Sequence, residues 1–406
     1  MAVELAALFL SHTGMSEALG QSQVLPYLRG LAGSGIRFDL VACEPPETPE
    51  DTIRRLQGSL VAQGICYTAL RRRPAHDLGA KLRDCAAMMT TALARLVQRR
   101  GTIRIIHARS HLPGAVAQAL RHLWPGVRTI FDCRGLLAQE YVDMGHWRRG
   151  ELRHLLTEEA ERHLLRRADR VVVLTEAMRQ ELCGPGGLLG HRPQDVFVIP
   201  CCVDPDRFRP DQDARQRRRA ELGLRPDQPL LCFSGSQARY DLEGALRLLA
   251  ALRRRADARF LLLSRADSAG VRDAAARLGC ASALHVVSAA PPEVPSWLNA
   301  ADWAVALLRD SRSSIATSPT KIAECLAVGL PTVVRAGIGD AEFLRGPGLL
   351  PLVPTDPLQV RLLADELLDR WHGPEARQLA RATALRHFSL SAVGVPRYRA
   401  LYAGLA

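Results

Sequence analysis

The sequence predicts an α/β protein built from two doubly wound domains, each a parallel sheet between layers of helices. Its 406 residues exceed what one hydrophobic core normally supports, so two domains of about 200 residues are expected. Short apolar runs alternate with amphipathic stretches, which is typical of a parallel sheet covered by helices. The series ends near residue 200 and then begins again, and this repetition indicates a second domain of the same kind.

The first series contains six predicted strands, and a segment rich in proline and aspartate, Cys201–Gln212, follows as the predicted linker. A helix is predicted from Glu151 to Ala168, because apolar residues recur there at helical spacing. The six strands are Leu5–Leu10, Phe38–Ala42, Ile103–His107, Arg128–Phe131, Arg170–Leu174 and Val196–Ile199.

The second series contains five predicted strands and a final helix within Leu390–Leu405, which carries Tyr398 and Tyr402. In open parallel sheets ligands bind beyond the carboxyl ends of the strands, so candidate functional residues are those that follow a strand. The five strands are Leu230–Ser234, Phe260–Ser264, Leu284–Val287, Trp303–Leu307 and Thr332–Val334.

The net charge of +12 comes almost wholly from arginine, since lysine occurs only at positions 81 and 321. A basic surface can bind nucleic acid or an anionic membrane. An aromatic content of 5% is too low for a base-stacking platform, so we expect no nucleic-acid partner. Transient contact with a membrane surface stays open.

Ten cysteines occur singly, apart from Cys201 and Cys202, and lack the paired spacing of a metal site. No run of about 18 apolar residues occurs, and residues 1–14 lack the basic start and the cleavage site of a signal peptide. We therefore expect reduced thiols and a cytoplasmic protein, either free or bound peripherally at the inner face of the membrane.

The segment Ser318–Asp340, SPTKIAECLAVGLPTVVRAGIGD, combines a capped helix, a buried strand and a glycine turn. Ser318 is the predicted helix cap and Pro319 the first helical residue, because proline lacks the N–H that the first turn leaves unpaired. Gly329 ends the helix. The start of such a helix directs free N–H groups outward, which favours a bound anion such as a phosphate.

Lys321 and Glu324 lie three residues apart and therefore project from one side of this helix. A cation near the phosphates and a carboxylate one turn further along would suit a nucleotide, because the carboxylate can accept hydrogen bonds from both ribose hydroxyls. An ordinary surface ion pair on an α/β helix is the alternative, and the spacing alone leaves both open.

The pattern S-P-x-K-x-x-E-x-L-A-x-G-x-P in this segment resembles the donor site of the retaining glycosyltransferases of family 4, which have the GT-B fold. Three further segments resemble the same family: Phe131–Gly135 (FDCRG), Arg167–Met178 (RADRVVVLTEAM) and Val198–Pro210 (VIPCCVDPDRFRP). The resemblance extends from about Ser11 to the C-terminus.

This resemblance implies two Rossmann-like domains that face each other across a cleft. Residues 1–200 would bind the acceptor, and residues 201–387 would bind a nucleotide-sugar that is expected to be UDP-linked. A C-terminal helix within 388–406 would pack back onto the first domain. The implied enzyme is a hexosyltransferase-type glycosyltransferase of polysaccharide biosynthesis. It would transfer the sugar, with retention of anomeric configuration and without a cofactor, to a hydroxyl of a glycan, a lipid-linked acceptor or a secondary metabolite.

Within the resembled donor site, Glu324 is the expected ribose ligand, and Ser318 and Lys321 lie at the start of the same helix. The E-x7-E motif of the family begins with a glutamate that contacts the donor sugar in many members. This chain has Ala316 at that position, which leaves the donor sugar open.

Two loops are expected to lie around the donor diphosphate. Gly14, in the loop that follows the first predicted strand, would let a phosphate approach the backbone, and a plain strand-to-helix turn is the alternative. In the second domain, Ser236 stands where the family has an arginine, and no lysine lies nearby. Arg239 is the expected substitute, with help from Lys321.

The acceptor side is expected to contain Arg109, His111, Asp132 and Arg134, which follow the third and fourth predicted strands. His107, Arg109 and His111 alternate, so all three would point one way if the strand continued. The family commonly has a histidine near the reacting sugar, and either Arg109 or His111 takes its place. A buried ion pair between Asp132 and an arginine, which would hold the loops together, is the alternative.

Asp204 and Asp206 have the D-x-D spacing with which another class of glycosyltransferase holds a divalent metal ion. The surrounding VDPDRF resembles the interdomain segment of family 4, which accounts for Asp204, so we expect no metal. Two alternatives to a glycosyltransferase remain: a nucleotide-sugar 2-epimerase of the same architecture, and a non-catalytic protein with a degenerate site.

Overall fold

A computed structural model describes residues 5–74, 78–190, 192–337, 339–341 and 347–405. The chain divides into two compact units. Unit 1 comprises Met1–Pro200, Ile315–Thr317 and Leu390–Ala406, and unit 2 comprises Cys201–Ser314 and Ser318–Ser389. The predicted glycine turn at Gly337–Asp340 includes Ile338, which lies outside the described residues.

The described part of unit 1 contains one sheet of seven strands, all parallel, in the order β3-β2-β1-β4-β5-β6-β7. The central strand β1 is buried along its whole length, as expected for a strand covered by helices on both faces. The strands are β1 Ala6–Ser11, β2 Arg37–Glu44, β3 Ile65–Arg71, β4 Ile103–Arg109, β5 Arg128–Asp132, β6 Arg170–Val173 and β7 Val196–Val198.

Unit 2 repeats this plan with six parallel strands within its described residues, in the order β10-β9-β8-β11-β12-β13. In each sheet the first three strands in chain order lie side by side in one half of the sheet, and the later strands extend the sheet on the opposite side of the first strand. The strands are β8 Leu230–Ser234, β9 Arg259–Leu263, β10 Leu284–Val287, β11 Trp303–Ala306, β12 Thr332–Arg335 and β13 Leu349–Leu352.

The α-helices cover the two sheets, and several begin at a residue whose side chain caps the first turn, such as Asp241, which accepts a hydrogen bond from the N–H of Gly244. Those of unit 1 are α1 Ala18–Gln23, α2 Leu25–Ala32, α3 Glu50–Val61, α4 Leu78–Gln98, α5 His111–Leu123, α6 Leu137–Asp143, α7 Leu152–Arg167 and α8 Glu176–Cys183. Those of unit 2 are α9 Gln212–Glu221, α10 Leu242–Leu252, α11 Ala269–Arg277, α12 Val294–Ala300, α13 Thr320–Ala327, α14 Pro357–Asp369 and α15 Gly373–Phe388, and α16 Val395–Ala403 returns to unit 1.

All eleven predicted strands are present, and the predicted α/β class of two doubly wound sheets is confirmed. The strands β3 and β13 were not predicted, and each lies at the edge of its sheet. β3 has several half-buried positions, and β13 contains Pro351, which an edge strand tolerates and a central strand does not. The sequence of β3 therefore lacks the continuous apolar run of a strand buried on both faces, and Pro351 interrupts the strand pattern of β13.

The reversal of strand order determines where a ligand site is expected. It occurs between β1 and β4 in unit 1 and between β8 and β11 in unit 2. In open α/β sheets the crevice at such a point, beyond the carboxyl ends of the two strands, is the usual binding position. None of the helices among the described residues is long and apolar enough to cross a bilayer.

Candidate functional site

The helix α13 lies in the predicted donor segment and begins one residue later than predicted, at Thr320. Pro319 occupies the cap position, and no side chain caps the first turn. The prediction that Ser318 caps this helix is therefore wrong. The Ser318 hydroxyl oxygen instead accepts a hydrogen bond from the backbone N–H of Cys201, at 3.3 Å, which ties the start of unit 2 to the segment before α13.

The ammonium group of Lys321 lies between α13 and the residues that follow β8. Its Nζ is 3.5 Å from the centre of the Tyr240 ring and 3.9 Å from that of Phe233, so two aromatic faces attract its charge. It also approaches the carbonyl oxygen of Ser236, at 3.5 Å. Burial lowers the pKa of Lys321 to about 7, although Cys325 and Glu324 oppose this fall. The lysine is therefore close to losing its proton in the unliganded protein.

Gly235 explains how the lysine reaches this position. It has φ +96°, a conformation that L side chains rarely adopt, and a Cβ there would lie 3.5 Å from Lys321 Nζ. The turn after β8 therefore needs glycine, and it carries Ser236 to the side of the ammonium group.

Glu324 lies one turn along α13 from Lys321 and is half-buried. Burial raises the pKa of its carboxyl to about 7, against the opposing charges of Arg207 and Lys321. Among the described residues its carboxylate forms no hydrogen bond or ion pair. A partly buried acceptor without a partner costs free energy unless a ligand or water supplies donors. Such an acceptor is what a pair of ribose hydroxyls requires.

Arg239 lies close to the same ammonium site. Arg239 directly precedes Tyr240, the ring of which contacts Lys321, and its charge opposes the rise that burial causes in the pKa of the Tyr240 hydroxyl. The backbone carbonyl of Arg239 accepts a hydrogen bond from the N–H of Arg309 at 2.9 Å, which anchors the turn. Ser236 and Arg239 therefore lie in the turn after β8, which Lys321 reaches from α13, and Glu324 lies one turn further along that helix.

The loop of Gly14 in unit 1 is already filled by carboxylates of the protein. Glu44 ends β2 and is fully buried, and its Oε1 accepts hydrogen bonds from the N–H groups of Met15 and Ser16 at 2.7 and 3.1 Å. The N–H of Gly14 donates to Glu17 Oε2 at 2.6 Å. A Cβ on Gly14 would lie 2.5 Å from Glu44 Oε2, so the glycine is needed for the approach of Glu44. The geometry favours the alternative of a strand-to-helix turn over a phosphate site at Gly14.

In unit 1, Asp132 forms the centre of a buried cluster at the carboxyl ends of β4 and β5, where it lies directly opposite Arg109. Arg109 and Arg134 contact its two oxygens at 3.5 and 3.3 Å, and the Tyr398 hydroxyl donates to it at 3.1 Å. Burial opposes ionisation, but Arg134, His107 and Arg109 outweigh it and hold the pKa of Asp132 well below its usual range. The carboxylate is ionised and its oxygens are occupied.

The cluster is closed rather than open to a substrate. Asp132 is 1% exposed and Arg109 is 7% exposed. They border a cavity of about 10 Å³, which is close to the smallest volume that holds one water molecule. This geometry supports the predicted alternative in which an Asp–Arg pair holds loops together, and Arg134 is the least buried member of the cluster.

The residues that complete this cluster were not predicted from the sequence. His107 Nδ1 is 2.7 Å from the Tyr402 hydroxyl, and His107 Nε2, 3.6 Å from Asp132, has no hydrogen bond. Burial lowers the pKa of His107, and Arg109 and Arg134 lower it further against the pull of Asp132, so the ring is neutral. The only sequence signal was the pair of tyrosines four residues apart in the final helix.

His111 does not join this cluster, because β4 ends at Arg109 and His111 is the first residue of α5. The expectation that residues 107, 109 and 111 share one face is therefore wrong for His111. The chain turns at Ser110, whose φ of +72° and ψ of −179° form a conformation found almost only in glycine. His111 Nε2 lies 2.8 Å from Glu161 Oε1, and Glu161 also accepts the first N–H groups of α6.

The D-x-D pair lies in a turn rather than in a cluster of ligands. Asp204 Oδ1 accepts a hydrogen bond from the N–H of Asp206 at 3.0 Å. Across the residues that the structure describes, no group of three or more histidine, cysteine, aspartate or glutamate side chains could hold a metal ion.

Residues 21–207 match the sequence model of Glycosyltransferase Family 4. No curated protein matches the chain. Solved structures resemble it over nearly its whole length: sucrose-phosphate synthase from Thermosynechococcus elongatus has a TM-score of 0.73 at 17% identity, covering 98% of this chain and 100% of that one. HepE from Anabaena, solved with UDP, has a TM-score of 0.68 at 15% identity with the same coverages.

A third similar structure, a protein from Listeria monocytogenes described as a putative UDP-N-acetylglucosamine 2-epimerase, has a TM-score of 0.59 at 13% identity and covers 98% of this chain and 96% of that one. At such identities these likenesses show the fold alone. Together with the family match, the two parallel sheets define a glycosyltransferase with the GT-B fold, an enzyme of the transferase class. The match over residues 21–207 confirms the resemblance to glycosyltransferase family 4 that the sequence predicted.

Proposed function

We propose that the chain transfers a hexose from a UDP-sugar to a hydroxyl group of an acceptor, with retention of anomeric configuration. The observation that carries this proposal is the arrangement on α13 in unit 2. Lys321 lies beside the turn after β8, and Glu324, one turn further, has a half-buried carboxylate without a partner among the described residues. A cation and a carboxylate one helical turn apart would suit a diphosphate and the ribose attached to it.

The charges of the site support a diphosphate leaving group. A lysine with a pKa of about 7 gains a proton when an anion binds beside it, so the diphosphate and the ammonium group stabilise each other. Charge develops on the departing diphosphate during transfer, and donors that are already in place stabilise it without reorganisation. We propose that Lys321 and Arg239 supply this stabilisation, together with the N–H groups at the start of α13.

The ribose would bind through Glu324. An ionised carboxylate accepts two hydrogen bonds from neighbouring hydroxyls, and such charge-assisted bonds are about twice as strong as neutral ones. The choice of UDP is supported by HepE from Anabaena, which was solved with UDP and with UDP-glucose. The identity of the transferred hexose is left open, since Ala316 replaces the glutamate that many relatives use.

We propose front-side transfer, in which the departing phosphate takes the proton of the acceptor hydroxyl. A double displacement would need a free carboxylate as nucleophile. Asp132 is a poor one, because two arginines and Tyr398 occupy its oxygens and its pKa is well below the usual range. In this proposal Asp132 and Arg109 position Arg134 on the acceptor side, where His111 also lies. No metal is invoked.

The acceptor is proposed to be a glycan, a lipid-linked glycan or a secondary metabolite, handled in the cytoplasm or at the inner face of the membrane.

The proposed donor site is tested by calorimetry with UDP on the full chain and on Glu324→Ala. The control is Glu243→Ala, since Glu243 is an exposed glutamate on α10 that pairs with Arg247 on the surface. We expect the control to bind as the wild type does and the Glu324 variant to bind at least tenfold more weakly. Wild-type protein that gives no heat with UDP would support the non-catalytic alternative.

One alternative activity has support from a specific likeness. The Listeria monocytogenes protein is described as a putative 2-epimerase, and it shares the architecture. Incubation of the enzyme with UDP-N-acetylglucosamine alone would distinguish the two activities. An epimerase produces the 2-epimer without an acceptor, whereas the proposed transferase leaves the sugar configuration unchanged.

A further inference from the structure

The beginning of α7 in unit 1 presents an apolar stripe to solvent. Leu152, Leu155 and Leu156 lie at positions i, i+3 and i+4 and therefore on one side of the helix. They are 72%, 50% and 62% exposed, and Met144 in the preceding loop is 47% exposed. The other side of α7 is buried through His154, Glu161, Leu164 and Leu165. The helix thus has a buried side of mixed polarity inside unit 1 and an apolar stripe that faces solvent.

Arginines accompany these leucines. Arg148 and Arg149 are exposed in the loop before α7. Arg149 donates to the amide oxygen of Gln139 at 3.2 Å, and no carboxylate among the described residues forms an ion pair with it. Arg153, on the helix, pairs with Glu151 at 2.6 Å. We call Met144, Arg148, Arg149, Leu152, Leu155 and Leu156 the leucine–arginine surface.

Aromatic and basic residues continue this surface towards α4. Trp147 stacks on Tyr141 with ring centres 4.3 Å apart, and Lys81 Nζ lies 6.0 Å from the centre of the Tyr141 ring. Leu82, next to that lysine, is 60% exposed. The combination of leucine, tryptophan and basic side chains is typical of helices that lie in the interface of a membrane.

We propose that the leucine–arginine surface binds an anionic lipid surface, with the leucines inserted between headgroups and the arginines against phosphates. Arginine next to leucine matches a lipid headgroup layer, where an apolar and a negatively charged region adjoin. A second copy of the chain is a poorer partner, because a two-fold contact through this face would bring Arg148 and Arg149 close to their own copies. The net charge of +12 adds long-range attraction to an anionic surface.

Binding to a lipid surface also reduces the number of acceptor classes expected for the proposed transferase. A unit 1 that binds lipid favours an acceptor whose hydroxyl is carried on a lipid, among the three classes considered above. That consequence rests on the proposed function, whereas binding to the lipid surface does not depend on it.

The test is cosedimentation of the full chain with vesicles of phosphatidylcholine alone and of equal parts phosphatidylcholine and phosphatidylglycerol. We expect binding to the mixed vesicles that weakens as salt is added, and little binding to phosphatidylcholine. The triple variant Leu152→Ser, Leu155→Ser, Leu156→Ser should bind at least tenfold more weakly. Arg148→Gln with Arg149→Gln should lose roughly fivefold per arginine.

The matched control is Leu358→Ser with Leu362→Ser on α14 of unit 2, where the two leucines are 54% and 57% exposed. It should bind vesicles as the wild type does. Absence of wild-type binding to the mixed vesicles, or an equal loss in the control, would overturn the proposal. So would a wild-type dimer that the triple variant converts to a monomer without any lipid binding. Calorimetry with UDP on each variant separates a failure of the lipid-binding proposal from a failure of the proposed function. The serine variants should keep the UDP affinity of the wild type.

Discussion

Replacing Lys321 with methionine should make the unliganded protein more stable and at the same time weaken its binding of UDP. Burial lowers the pKa of Lys321 from 10.5 to about 7, so the folded protein disfavours the protonated lysine by roughly 5 kcal/mol relative to a solvated one. The rings of Phe233 and Tyr240 attract the cation, and methionine loses this attraction. Methionine fills similar space without the charge, so its free energy of unfolding near pH 7 should exceed that of the wild type by about 1–3 kcal/mol.

The pH dependence of the free energy of unfolding provides a second test of the Lys321→Met prediction. Between about pH 7 and pH 10.5 the unfolded lysine binds a proton that the folded lysine has lost. The free energy of unfolding of the wild type should therefore rise with pH across this window, and the variant should lack that rise. Urea unfolding near pH 7 and near pH 9 measures both effects.

Loss of one charged donor to the diphosphate should weaken UDP binding by roughly 10- to 100-fold, measured by calorimetry. The control is Lys81→Met, which changes the chain's other lysine, in unit 1 beside Tyr141. A Lys321→Met protein that is no more stable than the wild type and binds UDP equally well would refute the reasoning.

Three further predictions concern the two units. The affinity for UDP should be highest near pH 7, because Lys321 loses its proton above that pH and Glu324 gains one below it; a flat profile by calorimetry would count against both roles. Asp132→Asn should lower the free energy of unfolding by about 3–5 kcal/mol in urea, since it leaves buried arginines without their anion, and a loss below about 1 kcal/mol would contradict this. Gly14→Ala should lower the free energy of unfolding by about 1–3 kcal/mol, because its Cβ would press on Glu44, whereas an unchanged stability with weaker UDP binding would show that the glycine serves the ligand.

Features that depend on neighbouring residues in the chain could be predicted from the sequence. The central strands are continuous apolar runs, and the helix around Lys321 and Glu324 carries its own pattern of apolar residues and its own end signal at Gly329. The cap at Ser318 was predicted wrongly because a long-range partner, the N–H of Cys201, takes the hydroxyl oxygen instead.

The features that could not be predicted depend on contacts between residues far apart in sequence. Nothing local at Asp132 indicates that Tyr398, in the last helix, donates a hydrogen bond to it. The same holds for Glu44, whose carboxylate occupies the N–H groups of the Gly14 loop, and for Glu161, which binds His111. A carboxylate at the carboxyl end of a buried strand was the only available signal for Glu44. Local motifs thus located the donor helix, whereas the roles on the acceptor side required the tertiary contacts.

The most direct test of the account is a crystal structure of the protein with UDP bound. We predict that the two ribose hydroxyls donate hydrogen bonds to the carboxylate of Glu324 and that the diphosphate lies against Lys321 at the start of α13. A nucleotide bound elsewhere, or one whose ribose lies beyond hydrogen-bonding distance of Glu324, would contradict the assignment of the donor site.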